Sequence, residues 1–101
     1  MSGYFITHFT VTDATAYDRY VEAVVPTIHA HNGKVLVATD DIEVIEGDMA
    51  HGRVVVVEFP SVAEAGAWQA SPEYRNAAQI RDNATQTRSM ILVAGFEPPA
   101  P

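Results

Sequence analysis

Arg53 to Phe59 reads Arg-Val-Val-Val-Val-Glu-Phe, and its four consecutive valines constrain the fold more than any other feature of the chain. A run of β-branched residues favours an extended strand, and a strand apolar on both sides has to be covered on both sides. Alternation sends Val54 and Val56 to one face and Val55, Val57 and Phe59 to the other. Tyr4 to Val11 behaves alike, with Ile6 opposed to Phe5 and Phe9. Gln86 to Gly95, centred on Met90, Ile91, Leu92 and Val93, reads as the last strand. Lys34 to Ala38 and Ile42 to Ile45 flank Thr39-Asp40-Asp41 and read as one bent strand or two fragments, with Gly47 to Gly52 as a hairpin connection.

Two helical segments separate these strands. After Asp13 as N-cap, Tyr17, Tyr20, Val21, Val24 and Ile28 recur at three- and four-residue steps and form one apolar stripe. Pro26 cannot donate to the carbonyl of Glu22, so a kink or restart is expected there. Gly33 is expected to supply the left-handed residue that ends the helix. Ser61-Val62-Ala63-Glu64 is a capping box opening a helix to about Ala70. Ser71-Pro72-Glu73 opens another piece to about Asp82, with a serine cap and proline at the first helical position.

The order strand, helix, strand, strand, helix, strand is the ferredoxin-like βαββαβ arrangement, an α+β fold with both crossover helices on one face of the sheet. Two helices cannot cover both faces. A second copy packed sheet against sheet is the simplest remedy, so a homodimer is expected. The 101 residues suit one domain over residues 1–96, followed by a proline-rich tail at Glu97–Pro101 that is expected to be mobile.

Composition narrows the function. With no cysteine there is no disulfide framework, thiolate nucleophile or Cys-ligated metal. Thirteen acids against six bases leave a net charge of −7, so nucleic acid is not an expected partner. No apolar run approaches the ~20 residues of a membrane span, and Met1-Ser2-Gly3 lacks a basic start; no membrane association and a cytoplasmic location are expected. His29 and His31 would diverge by about 200 degrees on a helix, and His51 lies in a turn, so no metal site is expected. No Gly-rich phosphate loop occurs, and no cofactor is expected.

The residues left for chemistry are polar groups in apolar settings. His8 lies within a strand and is a candidate base, or a packed, hydrogen-bonded histidine. Glu58 shares the face of Val54 and Val56, and a carboxylate there needs a partner. Arg81, at helical spacing from Tyr74 and Ala78, is the expected one. The pair either fixes helix to sheet or lines a polar pocket in which the arginine grips a ligand. Trp68 and Tyr74 flank the Ser71-Pro72 break and either fill the core or wall a helix–sheet cleft, to which Tyr17 and Arg53 would add. Arg53 is also expected to pair with Glu46 across the hairpin.

Ile45-Glu46-Gly47-Asp48, Arg53, Glu58-Phe59-Pro60-Ser61, Trp68, Ser71-Pro72-Glu73-Tyr74 and Arg81 together resemble the bacterial family named domain of unknown function thirteen-thirty. The likeness runs from about Tyr4 to Gly95. It implies a dimeric α+β barrel of ferredoxin-like protomers, in a superfamily that includes cofactor-independent monooxygenases, muconolactone isomerases, stress-responsive barrel proteins and polyketide cyclases. Two stretches depart from the family pattern: Asn32-Gly33 stands for its Gly-Gly, and Ala38-Thr39-Asp40 for its Arg-Gly-Gly turn. The lost arginine and the gained Asp40 and Asp41 argue against an anionic ligand at that turn. The combined expectation is a homodimer whose cleft binds a small organic molecule. Its chemistry would be an isomerisation, cyclisation or oxygenation with His8 or Glu58 as base and Arg81 holding the oxyanion. The competing expectation is a non-catalytic dimer that binds a metabolite or a protein.

Overall fold

The computed structural model describes residues 1–99; Ala100 and Pro101, the end of the expected tail, lie outside the described residues. Its elements are β1 (Gly3–Val11), α1 (Ala14–Ala30), β2 (Lys34–Thr39), β3 (Arg53–Phe59), α2 (Val62–Ala70), α3 (Pro72–Ala84) and β4 (Thr85–Ala94). The strands form one antiparallel sheet in the order β2-β3-β1-β4. This is the ferredoxin-like βαββαβ arrangement, with its second crossover helix broken into α2 and α3. The molecule is a slab measuring 50 × 37 × 16 Å. Its thinnest dimension has room for one helix layer on one sheet, and no third layer.

Register fixes which side chains meet. Phe5 lies opposite Val57 and Gly3 opposite Phe59, so Phe5, Val57 and Phe59 share the helix-bearing face with Trp68, Tyr74, Val24 and Ile28. Phe59 is fully buried there, and its ring meets those of Phe5 and Trp68. The alternate positions face the other way. Tyr4 lies opposite Glu58, Ile6 opposite Val56 and His8 opposite Val54; on the other side Ile6 meets Ile91 and Tyr4 meets Val93. Among the described residues no helix packs on this face.

Several local expectations are corrected. α1 runs unbroken through Pro26: Pro26 and Glu22 are both exposed, so water can serve the carbonyl left without a donor. Asn32, not Gly33, takes the left-handed conformation after α1, at φ 60°. Gly33 is needed for space, because a Cβ there would sit 2.6 Å from the Phe59 ring and 2.7 Å from Ile28. Only Lys34–Thr39 pairs as a strand; Ile42 to Ile45 joins a long loop, where the side chain of Thr39 accepts from the amide of Asp41 and turns the chain away. Ser61 caps α2 by accepting from the Glu64 amide at 3.0 Å. Glu64 turns instead to His31, 3.4 Å away, and ties α2 to the end of α1.

Candidate functional site

Ser71 organises the cleft. Its hydroxyl donates to the carbonyl of Trp68 at 2.7 Å and accepts from the amide of Tyr74 at 3.2 Å, closing α2 and opening α3 with one side chain. That break brings the rings of Trp68 and Tyr74 to 4.1 Å between centroids. Trp68 is held further by its indole N–H, which donates to Thr27 Oγ1 at 3.0 Å, while Thr27 donates to the carbonyl of Val24. A buried indole with a satisfied N–H is rigid.

α1 packs along α3, and its buried Tyr17, Val24 and Ile28 meet Phe9, Phe5, Val57 and Phe59 of the strands beneath it. A cavity of about 110 Å³ remains between α1 and the sheet. Phe5, Phe9, Tyr17, Tyr20, Trp68 and Tyr74 are among the residues around it, and none of its lining residues is Asp, Glu or His. Arg81 enters from the last turn of α3, where the negative end of the helix dipole favours a cation. Its side chain is 12% exposed. Nη1 donates to the Tyr74 hydroxyl at 3.0 Å and approaches Met90 Sδ at 3.6 Å, while Nε is buried without a partner. Burial by itself works against the guanidinium charge, but Tyr74, Tyr20 and Asp82 more than offset it and leave Arg81 above the ordinary arginine range. Burial pushes the phenol of Tyr20 well above its ordinary value and raises that of Tyr74 as well.

On the other side of Tyr17 lies a second, polar pocket of about 400 Å³, bordered by Thr10, Asp18, Asp40, His51 and Arg53. The Arg53 guanidinium lies over the Tyr17 ring at 5.1 Å and reaches Asp40 at 3.9 Å. The expected partner Glu46 is not the one it has: Arg53 points to the helix-bearing side, where the ring of Tyr17 draws it.

The expected Glu58–Arg81 pair does not form, because the two residues lie on opposite faces of the sheet. Glu58 faces away from the helices and accepts from the Tyr4 hydroxyl at 2.9 Å. That bond raises the Tyr4 phenol above its ordinary value, since ionisation would put a second negative charge beside the carboxylate. His8 is on the same face as Glu58, buried beneath the backbone of Gly52, with Nε2 unpartnered. Trp68, Tyr74, Tyr17 and Arg81 thus gather around the cleft, with Arg53 in the neighbouring polar pocket and His8 and Glu58 on the opposite face. Tyr20 and Met90 went unremarked in the sequence as site residues. Tyr20 shares the helix face of Tyr17 three residues away, but Met90 reaches Arg81 only through the pairing of β4 with β1.

The chain belongs to the family described as domain of unknown function (DUF1330), which it matches over residues 2–96. Its fold is similar to that of a protein of unknown function from Rhodopseudomonas palustris, with a TM-score of 0.74 and 22% identity over 96% of this chain and 84% of that one. It is also similar to SnoaB, a cofactor-independent oxygenase from Streptomyces nogalater, with a TM-score of 0.68 and 14% identity over 96% of this chain and 95% of that one. A dimeric protein of unknown function and ferredoxin-like fold from Bacteroides fragilis gives a TM-score of 0.62 and 13% identity, over 93% and 96% of the two chains. No curated protein matches the chain. Among the described residues no helix is long and apolar enough to cross a membrane.

Proposed function

We propose that this member of the family is one half of a homodimer that binds a small, largely apolar organic molecule in the cleft beneath α1, with Arg81 facing the ligand's polar group. The observation that carries this reading is Arg81, a sheltered cation with a buried, unpartnered Nε, lining a cavity otherwise walled mainly by aromatic and aliphatic side chains. A buried donor left unmade costs about 1–3 kcal/mol, and more on a charged group, which a ligand acceptor would recover. An apolar pocket with a few converging polar groups is the usual form of a small-molecule site.

The second copy covers the face that carries no helix. Ile91 and Val37, 49% and 38% exposed, lie on that face beside Ile6 and Val56. The dimeric relative from Bacteroides fragilis supports the same assembly.

Chemistry in the cleft is a second reading, favoured by the likeness to SnoaB, described as a cofactor-independent oxygenase. With no carboxylate or imidazole in the lining, this chain's contribution is stabilisation of negative charge on a substrate oxygen by Arg81 and Tyr74. Oxygenation, isomerisation and cyclisation of an enolisable molecule all draw on that stabilisation. His8 and Glu58 would act from the opposite face and supply no base here. A thermal-shift screen of small aromatic compounds tests the binding reading: a ligand at 100 times its Kd adds about 2.7 kcal/mol to stability. Arg81→Ala should keep the fold and lose that gain. Unchanged ligand stabilisation in Arg81→Ala would contradict the role given to this residue.

A further inference from the structure

Nearly every polar group in the cleft is a donor. Arg81 offers Nε to nothing, Nη1 to a phenol oxygen and a thioether, and Nη2 to Asp82 at 3.4 Å. The Tyr74 hydroxyl, having accepted from Arg81, has Met90 Sδ at 3.9 Å for its own proton. One sulfur, a weak acceptor, therefore serves two donors. Asp82 is 65% exposed and sits at the rim, in water. The phenols of Tyr20 and Tyr74, raised by burial, stay protonated near neutral pH and add donors rather than a base. A sheltered cation whose neighbours in the lining are hydroxyls and a thioether, with no carboxylate among them, is complementary to a negatively charged oxygen.

Nη1 is committed to Tyr74 and Met90, and one of the two Nη2 hydrogens to Asp82, which leaves Nε–H and the second Nη2 hydrogen as the donors without a partner. The cavity of about 110 Å³ is of the order of the ~150 Å³ apolar cavity that takes benzene, so a single ring is the matching size.

We propose that the cleft takes its ligand as an oxyanion, binding a planar phenol or enol in deprotonated form with the charged oxygen against Arg81 and Tyr74. The inference rests on the reading of the cleft as a small-molecule site and specifies the ionisation state of what it holds. The ligand O–H bond breaks, its electron pair stays on the oxygen facing the guanidinium, and the proton leaves to bulk water. A bound phenol is then a stronger acid than a free one, because a cation within about 4–6 Å favours the charged form by one to three pKa units.

The probes are 4-nitrophenol, whose anion absorbs visible light while its neutral form does not, and 4-nitroanisole, the same ring with a methyl ether in place of the acidic hydroxyl. Titrated with the wild-type protein, bound 4-nitrophenol should show the anion band at a pH where the free compound is neutral. Its apparent pKa should fall by about one to two units, equivalent to 10- to 100-fold tighter binding of the anion. 4-Nitroanisole should bind at least about 10-fold more weakly than the anion. Arg81→Met should abolish the shift, and Tyr74→Phe, which keeps the ring, should reduce it. A bound phenol that keeps its solution pKa, or equal binding of the two compounds, overturns the proposal and leaves the cleft reading standing. Binding of neither compound to the wild type overturns both. The wild-type titration decides the matter even if Arg81→Met fails to fold.

Discussion

The two faces of the sheet are built from the same strands and have different fates. Residues on the helix side end in a core: Phe59 is fully buried, Phe9 is 2% exposed, and four aromatic rings pack in sequence from Phe5 through Phe59 and Trp68 to Tyr74. One residue away along each strand, Ile6, Val54 and Val56 are only half-buried, and Glu58 and Tyr4 satisfy each other without a helix above them. A single chain can finish one side of a thin sheet. The unfinished side is the one that the proposed second copy would cover, and the finished side is left with a hollow under α1, which Arg81 lines.

That contrast is broken most severely by Phe59→Ala, expected to cost about 3–5 kcal/mol in chemical denaturation, because the ring has no exposed surface to lose and its cavity cannot collapse. The matching test on the other face is Val56→Asp. It should weaken the dimer by about 100-fold or more in sedimentation equilibrium while the isolated protomer stays folded, since the charge would be buried only on association. A smaller effect is expected of Gly33→Ala, about 1–3 kcal/mol, because the added Cβ runs into Phe59 and Ile28 and both lie in the packed core.

The last contrast is in pH. Tyr20 ionises at about pH 10 when unfolded and above that when folded, so its neutral form is favoured by the native state. Its contribution is full below about pH 10 and is lost as the pH rises above that value. Tyr20→Phe should therefore flatten the alkaline fall in stability, measured by denaturation at a series of pH values above neutrality.

The sequence disclosed the architecture because its strongest signals are local. The Val54–Val57 run, the Ser61 and Ser71 caps and the Pro72 helix start each act within a few residues, and β3, α2 and α3 begin where those signals stand. The cleft was less legible. Trp68 and Tyr74 were drawn together by the Ser71 break, which is written in sequence. The partner of Arg81 was not, because helical spacing puts a guanidinium toward the sheet without saying which strand residues point back. Glu58 has the wrong parity: it follows Val57 by one position, and one position in a strand reverses the face. Arg53 escaped Glu46 for a similar reason, since the ring of Tyr17 comes from an element distant in sequence.

Placement of the functional centre on the helix side is the claim on which the rest depends, and nuclear magnetic resonance tests it directly. Trp68 is the sole tryptophan, so its indole N–H is one resolvable signal, and the Nε–H of Arg81 is another. Titration with 4-nitrophenol should move both signals together with the amides of Tyr20 and Tyr74, and leave Tyr4, His8 and Glu58 unmoved. Movement confined to Tyr4, His8 and Glu58, with the indole and guanidinium signals fixed, would contradict the account.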